Sequence, residues 1–280
     1  MKKMVLIIGL IIFLFGCQNH FLATDKFEPL TLFADTTSRV LSRYGVALPD
    51  ACTPLKIGLL VMEGETDKPY MGIIEYLNVK ATLENGKWVT DIPIYVNSSS
   101  ATIYAYYPDT LNITDPKSIP VNSRLLDVLF CKCLNINNQS PNATIRMNHA
   151  FARLRVRIFY FGTNMNYAEA NGVTIGNSKA KNFGMIGTLN IYSGELTPAE
   201  SSSHIGAFMF PYEKYPVYDI SIDKEPLEML VFPTRFKKNE FAFRVIYSNP
   251  VPKTFSYGLE AGEWLPGTVN DYTLIINPAN

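Results

Sequence analysis

Long helices are the first thing missing from this 280-residue sequence. Its 18 prolines are scattered throughout, and no segment sustains a helical period of apolar residues. A charge bias is missing as well. The chain carries 25 basic and 25 acidic residues, which leaves no net field to hold a polyanion, so nucleic acid is not expected as a partner. Histidine is scarce: His20, His149 and His204 stand far apart, without the clustered spacing of a common metal site. The sequence has no Gly-x-Ser-x-Gly elbow, no glycine-rich phosphate loop and no His-Glu-x-x-His helix, so neither an enzyme nor a cofactor is expected. A fixed-period repeat, the mark of a propeller or solenoid, is also absent.

Long apolar runs are limited to one, Met4 to Phe15 in "MKKMVLIIGLIIFLFGC". At about a dozen residues it is too short to span a bilayer comfortably. With Lys2 and Lys3 before it and Gly16-Cys17 after it, it reads as a secretory signal over residues 1–16. "LFGC" looks like a bacterial lipobox, which makes Cys17 the lipidated first residue of the mature protein and residues 17–26 a polar tether. The other cysteines are Cys52, Cys131 and Cys133, an odd number, so at least one thiol stays unpaired. Cys131 and Cys133 share one face of a strand, where parallel side chains are poorly disposed to bond to each other. Buried, unreactive strand cysteines are expected rather than metal ligands.

What the chain does have is many short strand candidates separated by Gly, Pro, Asn and Ser. "FEPLTLF" is the first, with Leu30 and Leu32 on one face and Phe33 on the other. "KIGLLVME" is continuously apolar, as for a strand buried on both faces, and "ENG" predicts a hairpin turn into "KWVTDIPIYV". "SATIYAYYPD" alternates and stops at Pro108, while "SRLLDVLFCKCLN" reads equally as a strand or a short helical turn. Near-regular short strands without helices argue for β-sandwich domains.

The stretch "NHAFARLRVRI" places an arginine at every second position. Side chains alternate along a strand, so Arg153, Arg155 and Arg157 are predicted outside and Leu154, Val156 and Ile158 inside. Upstream, Ile145, Met147 and Phe151 have the opposite parity, which requires a bulge or bend near Ala152. His149 is the best single candidate for a catalytic base, but it shares that upstream parity and is expected to point inward, hydrogen-bonded. The acidic loop Glu63 to Asp67 lacks the spaced oxygens of a calcium site and reads as a solvated turn.

These features fall in a familiar order. A lipoprotein signal precedes a strand, an arginine-containing loop, "KIGLLV", "NGKW", "IYAYYP", "LLDVLFCK" and "ATIRMNHAFARLRVRI". In this order, and above all in "AYYP" and "NHAFARL", the chain resembles the fimbrillin family, the type V pilus subunits and related surface lipoproteins of anaerobic Gram-negative bacteria. The resemblance covers most of the chain from Cys17 to about Phe161. It implies an all-β fold of two tandem transthyretin-like β-sandwich domains, at residues 27–143 and 144–280, after the signal peptide.

It also implies a non-enzymatic pilus component, lipid-anchored at the cell outer membrane and reaching the fimbrium or cell surface. In the family an Arg-specific protease cuts after the first strand, and a strand from another subunit then fills the vacated groove. "FEPLTLF" matches that first strand, and Arg39 and Arg43 follow it as candidate processing sites, with ordinary loop arginines as the alternative. The sequence stops at "YTLIINPAN" with little to serve as a donor, and "QNHFLAT" lacks an acidic cluster, so a tip, accessory or anchor subunit is expected rather than a shaft pilin. The rival from another class is a standalone glycan-binding lipoprotein that uses Tyr104, Tyr106 and Tyr107 as a sugar-stacking platform.

Overall fold

The computed structural model describes residues 25–35, 56–111, 113–123, 127–160, 169–177, 186–199, 205–207, 215–216, 226–248 and 252–276. Among these, every element is a strand except two 3₁₀ turns, Tyr70–Gly72 and Ile74–Tyr76. The fold is all-β, as the sequence predicts.

The largest sheet has eight strands. From edge to edge they are Asn142–Ile145, Thr31–Ala34, Lys87–Thr90, Leu77–Glu84, Lys56–Glu63, Ala101–Tyr107, Leu129–Ile136 and Asn148–His149. The continuous apolar run of Lys56–Glu63 has its expected cause, because the strand is buried on both faces. Ile57, Leu59 and Val61 join Ile103 and Ala105 in one core, whereas Leu60 and Met62 join Tyr104 and Tyr106 in another. Gly58 is required between them, since a Cβ there would lie 2.0 Å from Cζ of Tyr106. The "ENG" hairpin also forms, with Asn85 and Gly86 at φ 49° and 78°, the positive values that a type I′ turn needs.

Ala152–Tyr160 lies at the centre of a three-stranded sheet, antiparallel to Leu227–Val231 and parallel to Val269–Ile276. Its Leu154, Val156 and Ile158 are buried against Val173, Ile175, Phe243 and Val245, which come from a separate five-stranded sheet. A further sheet joins distant segments. Ile119–Asn122 pairs with Ile186–Asn190, which pairs with Glu195–Pro198, and this sheet supplies Ile119, Val121 and Leu189 to the core that holds Tyr104 and Tyr106.

The change of parity before Ala152 is a bend at which the chain changes sheets. Asn148–His149 still pairs with Leu129–Ile136, and after Ala150 and Phe151, both buried, the backbone enters the three-stranded sheet. The unassigned segment "SRLLDVLFCKCLN" contains the strand Leu129–Ile136, with Arg124 to Leu126 outside the described residues.

Candidate functional site

The first strand is broken by its proline. Glu28–Pro29 pairs with Tyr95–Val96, and Leu30 continues by donating its N–H to Ile94 O at 2.9 Å. One residue later Thr31 donates instead to Pro141 O at 2.9 Å, and the chain enters the eight-stranded sheet. Pro29 has no N–H to add to a ladder, so a change of partner at this point forfeits little.

Thr31–Ala34 is then flanked on both sides, parallel to Asn142–Ile145 and antiparallel to Lys87–Thr90. Leu32 is buried, facing Trp88 across one ladder and Ala143 across the other, and Leu30 packs against the same core. Phe33 points outward, 37% exposed, with Lys87 Nζ 5.4 Å from its ring centroid. The strand end is tied by Asp35 N–H to Ile145 O at 3.1 Å and by the ion pair of Arg146 with Asp35 at 2.6 Å. This is the arrangement of an inserted strand. Taking it away would uncover Trp88, Ala143 and Ile145 and leave backbone groups unpaired along both flanks, the condition that β-augmentation relieves. The faces of "FEPLTLF" were legible in the sequence, but its flanking strands were not, because neither is its neighbour in sequence.

Other expected site residues are scattered. Cys17, Arg39, Arg43 and Cys52 lie outside the described residues. Tyr104 and Tyr106 are only 2% and 0% exposed, so the sugar-stacking platform they were expected to offer is not formed. The Tyr106 hydroxyl is hydrogen-bonded to Asn78, and burial pushes its phenol up. His149 is hydrogen-bonded as expected, its Nδ1 2.6 Å from Oδ2 of the fully buried Asp127, although its ring remains partly exposed. The acidic loop is a turn whose Glu65 and Asp67 pair with Lys132 and Lys117. No group of three or more His, Cys, Asp or Glu that could hold a metal occurs among the described residues.

The arginine comb departs from expectation in one respect. It lines the outer face of its sheet, yet the side chains of Arg153, Arg155 and Arg157 are only 18%, 29% and 27% exposed. Arg153 pairs with Glu228, Arg155 sits between Glu228 at 3.5 Å and Asp271 at 3.4 Å, and Arg157 reaches Asp271 at 3.5 Å. Burial holds the Glu228 carboxyl above its usual range even though Arg153 and Arg155 pull it down. The neighbouring strands supply these acids, so alternation within one strand could not reveal them. Cys131 is buried as expected whereas Cys133 is only half-buried, and the two side chains, expected to be poorly disposed to bond to each other, bring their sulfurs to 3.6 Å.

Comparison with known proteins agrees with this architecture. No curated protein sequence matches the chain. Among solved structures, a candidate cell adhesion protein of Bacteroides uniformis superposes with a TM-score of 0.62 at 17% identity, over 91% of this chain and 95% of its own. A fimbrial protein of Bacteroides vulgatus gives 0.61 at 13% identity, over 90% and 96%. A second candidate cell adhesion protein, of Bacteroides ovatus, gives 0.58 at 13% identity, over 90% and 93%. At such identities the likeness is one of fold. The family model described as fimbrillin-like matches residues 53–280, most of the sequence, and the chain therefore belongs to the fimbrillin-like family.

Proposed function

We propose that the protein is a pilus component, a tip, accessory or anchor subunit, that acts in assembly or adhesion without catalysing a reaction. In this reading Cys17 is diacylated and holds the precursor at the outer membrane, since two or more acyl chains give stable anchoring where one gives marginal binding. Its two domains are residues 27–143 and 144–280, joined by the sheet that pairs Ile119–Asn122 with Ile186–Asn190 and meeting within the strand Asn142–Ile145. An Arg-specific protease cuts at Arg39 or Arg43, and a strand from another subunit replaces Thr31–Ala34 between its two flanks. Family membership supports the pilus role, and the adhesion and fimbrial descriptions of the structural relatives agree with it. The observation that carries the strand exchange is that the first strand is hydrogen-bonded on both sides yet is followed, five and nine residues after Ala34, by Arg39 and Arg43.

The test is proteolysis followed by capture. An Arg-specific protease should release a short N-terminal fragment and leave the remainder folded. The trimmed protein should then bind a peptide copied from the strand of a partner subunit, and the uncut protein should not. Equal binding by both forms would refute the exchange. Fatty-acid labelling of cells should fall when Cys17→Ala replaces the wild type, and undiminished labelling would remove the anchor.

A further inference from the structure

We propose that Cys131 and Cys133 are a peroxide-reactive thiol pair that closes to a disulfide and thereby loosens the seat of the first strand. The two sulfurs are already in contact at 3.6 Å, whereas the bond requires about 2.0 Å. Residues two apart on an extended strand have Cα atoms about 6.6 Å apart, near the upper end of the range that disulfides bridge, about 4.4–6.8 Å. Slack lies immediately beside the pair. Ala101 faces Ile136 while Ile103 faces Cys133, so Leu134 and Asn135 oppose the single residue Thr102, and Asn135 adopts a positive φ of 60°. This bulge allows the strand to shorten locally. A bond closed at the limit of its geometry is strained and easily reduced, as suits a reversible modification.

The two thiols have different roles. The hydrogen bond from Cys133 holds the Cys131 thiol below its usual range, with Arg146 adding to the effect, and the same contact pushes Cys133 up. Cys131 is only 4% exposed, which favours a small oxidant such as hydrogen peroxide over a bulky disulfide. The Cys131 thiolate attacks one peroxide oxygen, an S–O bond forms, the O–O bond breaks, and the leaving hydroxide takes up the proton that Cys131 gave up and departs as the first water. Cys133 then attacks the resulting sulfenic sulfur, so that the S–S bond forms and the S–O bond breaks. The hydroxyl leaves as water, and the Cys133 proton ends on the departing oxygen. Two thiols and one peroxide give one disulfide and two waters. The sulfurs are oxidised by two electrons, and the peroxide is reduced by the same two.

Closure reaches the first strand through Thr144. The Cys133 thiol also lies 3.5 Å from Thr144 O, so its one proton is shared between that carbonyl and Cys131 Sγ, and a disulfide can donate to neither. Thr144 in turn stands beside Phe33 in the parallel ladder that flanks the first strand.

The reduced full-length protein should be treated with equimolar hydrogen peroxide, alkylated under denaturing conditions and digested with trypsin, which cuts after Lys132, between the two cysteines. The peptides "LLDVLFCK" and "CLNINNQSPNATIR" should then be joined and should separate on reduction. Amide exchange at Thr31 and Asp35, which donate to Pro141 O and Ile145 O on that flank, should accelerate on the order of fivefold, while Ala34, which donates to Gly86 O on the other flank, should change less. In Cys133→Ser, dimedone should trap a sulfenic acid on Cys131. The proposal is overturned if the two peptides remain separate, if they join without faster exchange at the first strand, or if the Cys133→Ser protein gives no adduct on Cys131.

Discussion

Leu32→Ala tests whether the first strand is held by its inward side chain. Leu32 is 2% exposed between Trp88 and Ala143, so truncation removes buried methyl groups and leaves a gap. Core Leu→Ala changes cost about 2–5 kcal/mol. Leu32 borders the core on a short strand, where partial collapse is possible, so we expect about 2–3 kcal/mol. In a chain cut at Arg39 or Arg43 the fragment is held only by non-covalent contacts, and that loss appears as release. At 1.4 kcal/mol per tenfold, release should be roughly 30- to 140-fold faster. Phe33→Ala leaves the backbone bonds alone and removes a side chain that already faces water, so its effect should stay under about fivefold. The assay labels the N-terminal fragment with a fluorophore, adds excess unlabelled peptide of residues 25–35, and follows the fall in anisotropy. Equal acceleration by the two variants would refute the assignment of faces. Resistance of both arginines to cleavage would refute the processing site itself.

Gly58→Ala should cost about 1–3 kcal/mol by urea unfolding, because the new Cβ displaces the Tyr106 ring, and most of that loss should vanish in a Tyr106→Ala background; an undiminished loss there would remove the steric cause. Val156→Asp should cost about 3–5 kcal/mol through an unpaired buried charge, whereas Arg155→Ser should cost about 1–2, because Arg153 still pairs with Glu228; equal melting shifts would contradict this ranking. Glu228 has a folded pKa raised by burial, so the folded state binds the proton more tightly than the unfolded one and this group favours folding most at low pH. Its contribution should fall as pH rises from the ordinary carboxylate range through the raised folded value. Glu228→Gln should remove that part of the pH dependence of the melting temperature, and unchanged profiles would count against it.

Legibility in the sequence followed the range of the interaction. Leu154, Val156 and Ile158 were found from alternation, and the burial of Lys56–Glu63 on both faces from its unbroken apolar run, because one strand carries its own period. The "ENG" turn was legible because its chemistry is local. The acids that pair with the arginine comb lie on Leu227–Val231 and Val269–Ile276, and no local pattern points to them. The pairing of Ile119–Asn122 with Ile186–Asn190 was hidden for the same reason. At the candidate site, "FEPLTLF" announced its inward leucines but not Trp88 or Asn142–Ile145. The thiol contact escaped because parallel side chains on one strand face are poorly disposed to bond to each other, whereas here a bulge follows at once.

The parallel ladder between Thr31–Ala34 and Asn142–Ile145 also sets an order of events in folding. Asp35 and Arg146, the ion pair at its end, are 111 residues apart in sequence. A chain emerging from its N-terminus cannot seat this strand until more than a hundred later residues exist, and a contact so distant forms slowly because loop closure must come before any gain. The neighbouring hairpin of Leu77–Glu84 with Lys87–Thr90 needs only a tight turn and can be ready far sooner. One flank of the first strand is therefore ready long before the other, and Thr31–Ala34 can pair with Lys87–Thr90 well before Asn142–Ile145 closes over its second edge.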